Sequence, residues 1–126
     1  MLENLRILIK KDHVHAIVSG NFDPALAKTV YQKILDAADQ KALSRVLIDA
    51  RQLIIAFSTT VRYGLAEWVA SIQKMPMMVA VVVPPDPMFK DRFVETVVQN
   101  RGAAMKVTAD MQEALTWLGI VSGDAA

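Results

Sequence analysis

Asp49 and Arg51 stand two residues apart, just after the apolar run Val46-Leu47-Ile48. A carboxylate and a guanidinium at the end of a strand can form a polar pair that recognises a ligand or partner. The same Asp could instead serve a loop amide. Ser58, Thr59 and Thr60 follow a few residues later. A phosphate dianion is favoured at a helix N-terminus, so Ser58 and Thr59 are candidate phosphorylation sites. Equally, these hydroxyls could do no more than cap the helix, a contribution of about 1 kcal/mol. His13 and His15 are spaced to put two imidazoles on one side of a strand. With no cysteine and no third ligand at a metal-binding spacing, no metal site is expected. Asp86, within Pro84-Pro85-Asp86-Pro87, reads as a helix cap. Phosphate-loop, dinucleotide, nucleophile-elbow and Ser-His-Asp patterns do not occur. The chain is therefore expected to be non-catalytic and to need no cofactor.

Between the polar pair and the hydroxyls lie five consecutive apolar residues, Leu53-Ile54-Ile55-Ala56-Phe57. Val46–Asp49 reads as a buried strand that stops at Asp49, and a helix is expected to begin near Ser58. Leu53 to Phe57 then forms the connection at the carboxyl end of a strand, where α/β domains commonly bind. An apolar stretch there can be a docking surface or the lip of a pocket, or it can fold back under the next helix or extend the strand irregularly. Asp49, Arg51, Leu53, Ile54, Ile55, Phe57, Ser58 and Thr59, with Tyr63 and Trp68 on the following helix, make up the expected binding surface.

The elements that position these residues follow from periodicity and punctuation. Leu5–Lys10 and Val14–Ser19 are β-forming runs separated by a short polar gap, which predicts a hairpin. Asp23-Pro24 supplies a cap and a first-turn proline for a helix striped by Leu26, Val30, Ile34 and Ala38, ending near Gln40. Val61, Leu65, Trp68, Val69 and Ile72 stripe the second helix, which Pro76 ends. Met77–Val83 is the clearest buried strand. A third helix is expected from Asp86-Pro87, with Phe89, Phe93, Val94, Val97 and Val98 inward and Gly102 at its end. Ala103–Val107 is a weaker strand. Asp110 and Glu113 suggest a capping box for a last helix lined by Met111, Ala114, Leu115 and Leu118 and closed by Gly119. The order β-β-α-β-α-β-α-β-α predicts one α/β domain over residues 1–120, with residues 121–126 as a tail. Its sheet is five-stranded, mixed and mostly parallel, with four helices.

Bulk properties narrow the partners. The net charge is +1, from 14 basic and 13 acidic residues, with no basic stripe, which argues against nucleic acid. Hydrophobic residues make up 53%, which suits a well-buried sheet or a subunit interface, including a homodimer. The N-terminal residues lack a signal-peptide pattern, and the longest apolar run, Met75 to Pro85, is too short to span a bilayer. A cytoplasmic location is the expectation.

Three segments carry a family resemblance: Leu47-Ile48-Asp49-Ala50-Arg51, Val79-Ala80-Val81-Val82-Val83, and a C-terminal block. That block contains Phe93-Val94-Glu95-Thr96, Asn100-Arg101-Gly102 and Glu113-Ala114-Leu115-Thr116-Trp117-Leu118. With this element order, the chain resembles the STAS domain, and more closely the SpoIIAA-like proteins, over nearly its whole length. The resemblance implies a module that binds a regulatory protein, or a second copy of itself, without catalysis. In anti-sigma-factor antagonists of this kind, an Asp-Ser pair followed by Gly ends the third strand, and the serine is phosphorylated. Asp49 matches that aspartate, Ala50 stands at the serine, and no glycine follows, so the phosphoswitch serine is expected to be missing. The group's likeness to CRAL-TRIO domains implies an alternative, a carrier or sensor of an apolar, lipid-like ligand.

Overall fold

In the computed structural model, residues 5–21, 23–54, 58–73, 76–85, 93–100 and 102–120 are described. The elements are β1 (Leu5–Ile9), β2 (Val14–Asn21), α1 (Pro24–Gln40), β3 (Arg45–Ile54), α2 (Thr59–Ile72), β4 (Met78–Val82), α3 (Phe93–Asn100), β5 (Ala104–Thr108) and α4 (Met111–Leu118). This is the order expected from the sequence. The strands lie side by side in chain order, β1-β2-β3-β4-β5. β1 is antiparallel to β2, and every later pair is parallel.

Consecutive parallel strands that always step in one direction put their right-handed crossovers on one face. Accordingly α1, α2 and α3 share a face, where Val30, Ile34, Ala66, Val69 and Val98 bury the inward row Val14, Ala16, Val46, Ile48 and Val79. After β5, α4 covers the opposite face. There Ala114, Leu115 and Leu118 pack on Leu47, Ala80 and Val82. Strands with both faces covered explain the near-continuous apolar runs of β3 and β4.

Helix ends follow their punctuation. The Asp23 side chain accepts from the Leu26 N–H at 2.7 Å, with Pro24 in the first turn of α1. The Asp110 carboxylate accepts from the amides of Gln112 and Glu113. The expected capping box is altered: the Asp110 N–H donates to the Thr108 hydroxyl, and that hydroxyl donates to Glu113. Gly119 adopts φ 74°, the left-handed conformation that glycine takes without strain. The expected start of the third helix at Asp86-Pro87, and Phe89 with it, lies outside the described residues.

One buried polar side chain ties the layers together. Gln73, 4% exposed, follows the last turn of α2. It accepts from the Tyr31 hydroxyl at 2.6 Å and donates to the carbonyls of Ala104, at 2.7 Å, and Met77, at 3.3 Å. A buried amide is stable when its groups are paired, and this one joins α1 to the starts of β4 and β5. Tyr31 also meets the Trp68 ring edge-on at 6.1 Å, and the Lys28 ammonium lies over the same indole.

Candidate interaction site at the end of the third strand

β3 does not stop at Asp49. It continues to Ile54, because Ser19-Gly20-Asn21 of β2 pairs with Gln52-Leu53-Ile54. Leu53 and Ile54 thus form an irregular extension of the strand, one of the alternatives expected for them, and the expected strand end at Asp49 is corrected. The pairing is parallel in register up to Ile17–Asp49 and resumes at Ser19–Gln52, so β3 carries an extra residue over that interval. Such a bulge resets which side of the sheet each residue faces. Ala50, 2% exposed, is buried in the helix-side core. Leu53, three positions on, packs against the same core. Strict alternation would have put the two on opposite sides.

Asp49 and Arg51 occupy this bulge. The Arg51 guanidinium donates from Nε to Asp49 Oδ1 at 2.9 Å and from Nη2 to Oδ2 at 2.8 Å, a two-pronged pair. The Arg51 backbone N–H also donates to Oδ1 at 3.2 Å. These bonds hold the Asp49 carboxyl below its ordinary range and raise Arg51. The expected polar pair is thus real as geometry, but it lies inside a strand rather than at its end.

His15 lies on β2, on the same side of the sheet as Asp49, and His13 immediately precedes that strand; they are 8% and 0% exposed. Their rings are 6.4 Å apart. His13 Nδ1 lies 2.8 Å from Asp12 Oδ1. His13 Nε2 and both ring nitrogens of His15 have no hydrogen-bond partner among the described residues. Burial lowers the His15 pKa below 6.5, and the nearby Asp49 charge opposes that shift. Among the described residues, no group of three or more His, Asp or Glu is placed to hold a metal ion.

The apolar part of the expected surface divides. Ile54 is 61% exposed and Tyr63 41% exposed, at the end of β3 and on the early part of α2. Ile9, the other exposed large hydrophobic residue among those described, sits at the opposite end of the sheet, paired with Val14. Trp68 is half-buried against the core rather than presented to solvent. Ser58 caps α2, its hydroxyl accepting from the Val61 N–H at 3.2 Å. Ile55 and Phe57 lie outside the described residues, as does the Thr59 side chain.

Two concavities are formed elsewhere. A groove of about 500 Å³ lies between the end of α1 and the start of β4, among Asp36, Asp39, Leu43, Ile72 and Met77. Another, of about 560 Å³, lies beside α4 at Lys106, Glu113 and Trp117. Both are open and mix charged with apolar walls. No helix among the described residues is long and apolar enough to cross a membrane.

No protein-family model and no curated protein matches the chain. Solved structures do. One is an anti-sigma factor antagonist from Mycobacterium paratuberculosis, with a TM-score of 0.59 and 15% identity, covering 91% of this chain and 92% of that one. Another is the anti-sigma factor antagonist SpoIIAA in its unphosphorylated form, with a TM-score of 0.53 and 17% identity, covering 93% and 99%. The chain therefore has the SpoIIAA-like STAS fold over nearly its full length.

Proposed function

We propose that this protein is a non-catalytic regulatory module that binds another protein through the carboxyl end of β3 and the start of α2. The observation that carries this reading is Ile54. A large aliphatic side chain at 61% exposure closes the strand, with Tyr63 exposed on the next helix. An isolated exposed apolar residue needs no explanation. Ile54 ends β3 and Tyr63 lies in the early part of the helix that follows, and interface centres are enriched in aromatic and apolar residues and in Arg, which Arg51 supplies on the same strand. Likeness to anti-sigma factor antagonists supports a regulatory protein as the partner. Position 50 is an alanine buried in the core, so regulation at that position by phosphorylation is not part of the reading.

Photo-crosslinking tests the surface directly. A photoreactive phenylalanine analogue in place of Tyr63 should yield one discrete crosslinked protein in lysate of the source cells. The same analogue in place of Lys41, an exposed residue at the far end of α1, should not. Equal labelling from both positions, or none from position 63, would count against the reading.

A further inference from the structure

His15 is a buried imidazole with neither ring nitrogen hydrogen-bonded among the described residues. Its neighbours across the strands are apolar, Leu8 on β1 and Leu47 on β3. The nearest carboxylate on its side of the sheet belongs to the next strand. His15 pairs with Leu47 and Ile17 pairs with Asp49, which makes His15 and Asp49 diagonal neighbours on one face. Long side chains at such positions come within reach of each other. Asp49 in turn holds Arg51, whose side chain is 47% exposed against 14% for Asp49, so the guanidinium can be released to solvent while the carboxylate stays partly covered. A charge created on a buried imidazole is costly unless it is paired.

We propose that protonation of His15 draws the Asp49 carboxylate off Arg51 and frees the Arg51 guanidinium beside the docking surface. The step is a single proton taken from solvent by a ring nitrogen. Asp49 stays ionised throughout and no covalent bond changes. The other charged groups around the ring fit this assignment. Lys10 and His13 disfavour a second positive charge, and Arg51 does too until it moves away. Asp12 is bonded to His13 and lies within 3.8 Å of Arg45, and Asp49 is the carboxylate whose charge acts on the His15 ring. Lys106 lies on β5, three strands from β2, and pairs there with Glu113 of α4 at 3.5 Å. Burial sets the exchange below pH 6.5, on the acidic side of neutrality. Its effect on docking rests on the interaction role proposed above, whereas the exchange itself does not.

The test is therefore made on the isolated full chain by NMR, from about pH 8 to about pH 5, across the histidine range. The Arg51 side-chain Nε–H signal should shift with the same midpoint as the His15 ring. His13→Gln should leave that shift in place, and His15→Gln should remove it. Asp49→Asn should lower the His15 midpoint, which keeps the proposal testable even if His15→Gln fails to fold. An Arg51 signal that stays flat through the His15 titration, or a His15 midpoint unchanged in Asp49→Asn, would overturn the exchange while leaving the protein-interaction role standing. Partner affinity measured at the two ends of the range then reads the consequence for docking.

Discussion

Gln73→Leu removes the polar tie between the helical layer and two strands, and its cost can be worked from three bonds. Leucine keeps most of the volume, so the cavity cost is small. Two strong partners lose their bond. The Tyr31 hydroxyl is so buried that its pKa is pushed well above the ordinary tyrosine range, and Ala104 presents a part-buried carbonyl. Each buried polar group left unpaired costs about 1–3 kcal/mol. The 3.3 Å bond to Met77 is long and adds little. Leucine regains part through added apolar burial, so the net loss should be about 3 kcal/mol. At about 4 °C per kcal/mol for a chain of this size, the Tm should fall by about 12 °C. Urea unfolding followed by circular dichroism measures the free energy. Tyr31→Phe should cost about 1 kcal/mol, by leaving the Gln73 carbonyl oxygen without its donor. The double variant should be less destabilised than the sum of the two singles by about 1 kcal/mol, because Tyr31→Phe removes the hydroxyl that Gln73→Leu strands. A Gln73→Leu variant within about 0.5 kcal/mol of wild type, or a coupling near zero, would refute the bonding as described.

Other outcomes follow from local geometry. Ala42 ends α1 at φ 56°, with the Leu43 N–H bonded back to Ala38. Glycine relieves that strain, so Ala42→Gly should raise stability by about 1 kcal/mol in thermal melts, and a fall would contradict it. Ser58→Ala should cost about 1 kcal/mol, and Ser58→Asp should restore most of it, as expected of a helix cap. His15 has a lowered pKa in the fold, so the unfolded chain binds its proton first as the pH drops. Stability should be full above pH 6.5 and decline as the pH falls through that value, and His15→Gln should flatten the slope in that window.

Much of the fold is legible in the sequence because its punctuation is local. Asp23-Pro24, Ser58, Asp110 and Gly119 each mark a helix end within a few residues of itself, and helix ends of this kind locate the strands between them. The limits of β3 were not legible for the opposite reason. Asp49-Ala50-Arg51-Gln52 has the composition of a connection, and only pairing with Ser19-Gly20-Asn21, some thirty residues earlier, keeps it in the sheet. The bulge then breaks the period of two, so neither alternation nor a continuous apolar run points to Ala50 and Leu53 facing one core. Gln73 carried no signal either. It reads as a polar residue at a helix end, while its partners lie 42 and 31 residues away. The two histidines were legible as a pair on one side of a strand. Their burial was not, because it depends on the flanking strands. In the sequence Asp49 and Arg51 suggest partners for something outside the chain, whereas the structure makes them partners of each other first.

The most direct test of the docking surface is Ile54→Asp. At 61% exposure this side chain contributes little to the core, so the variant should melt within about 2 °C of wild type. A partner captured by the wild-type chain and then purified should bind the variant at least tenfold more weakly by titration calorimetry, a loss of about 1.4 kcal/mol or more. Wild-type affinity in a fully folded Ile54→Asp variant would contradict the claim that this protein binds its partner through the end of β3.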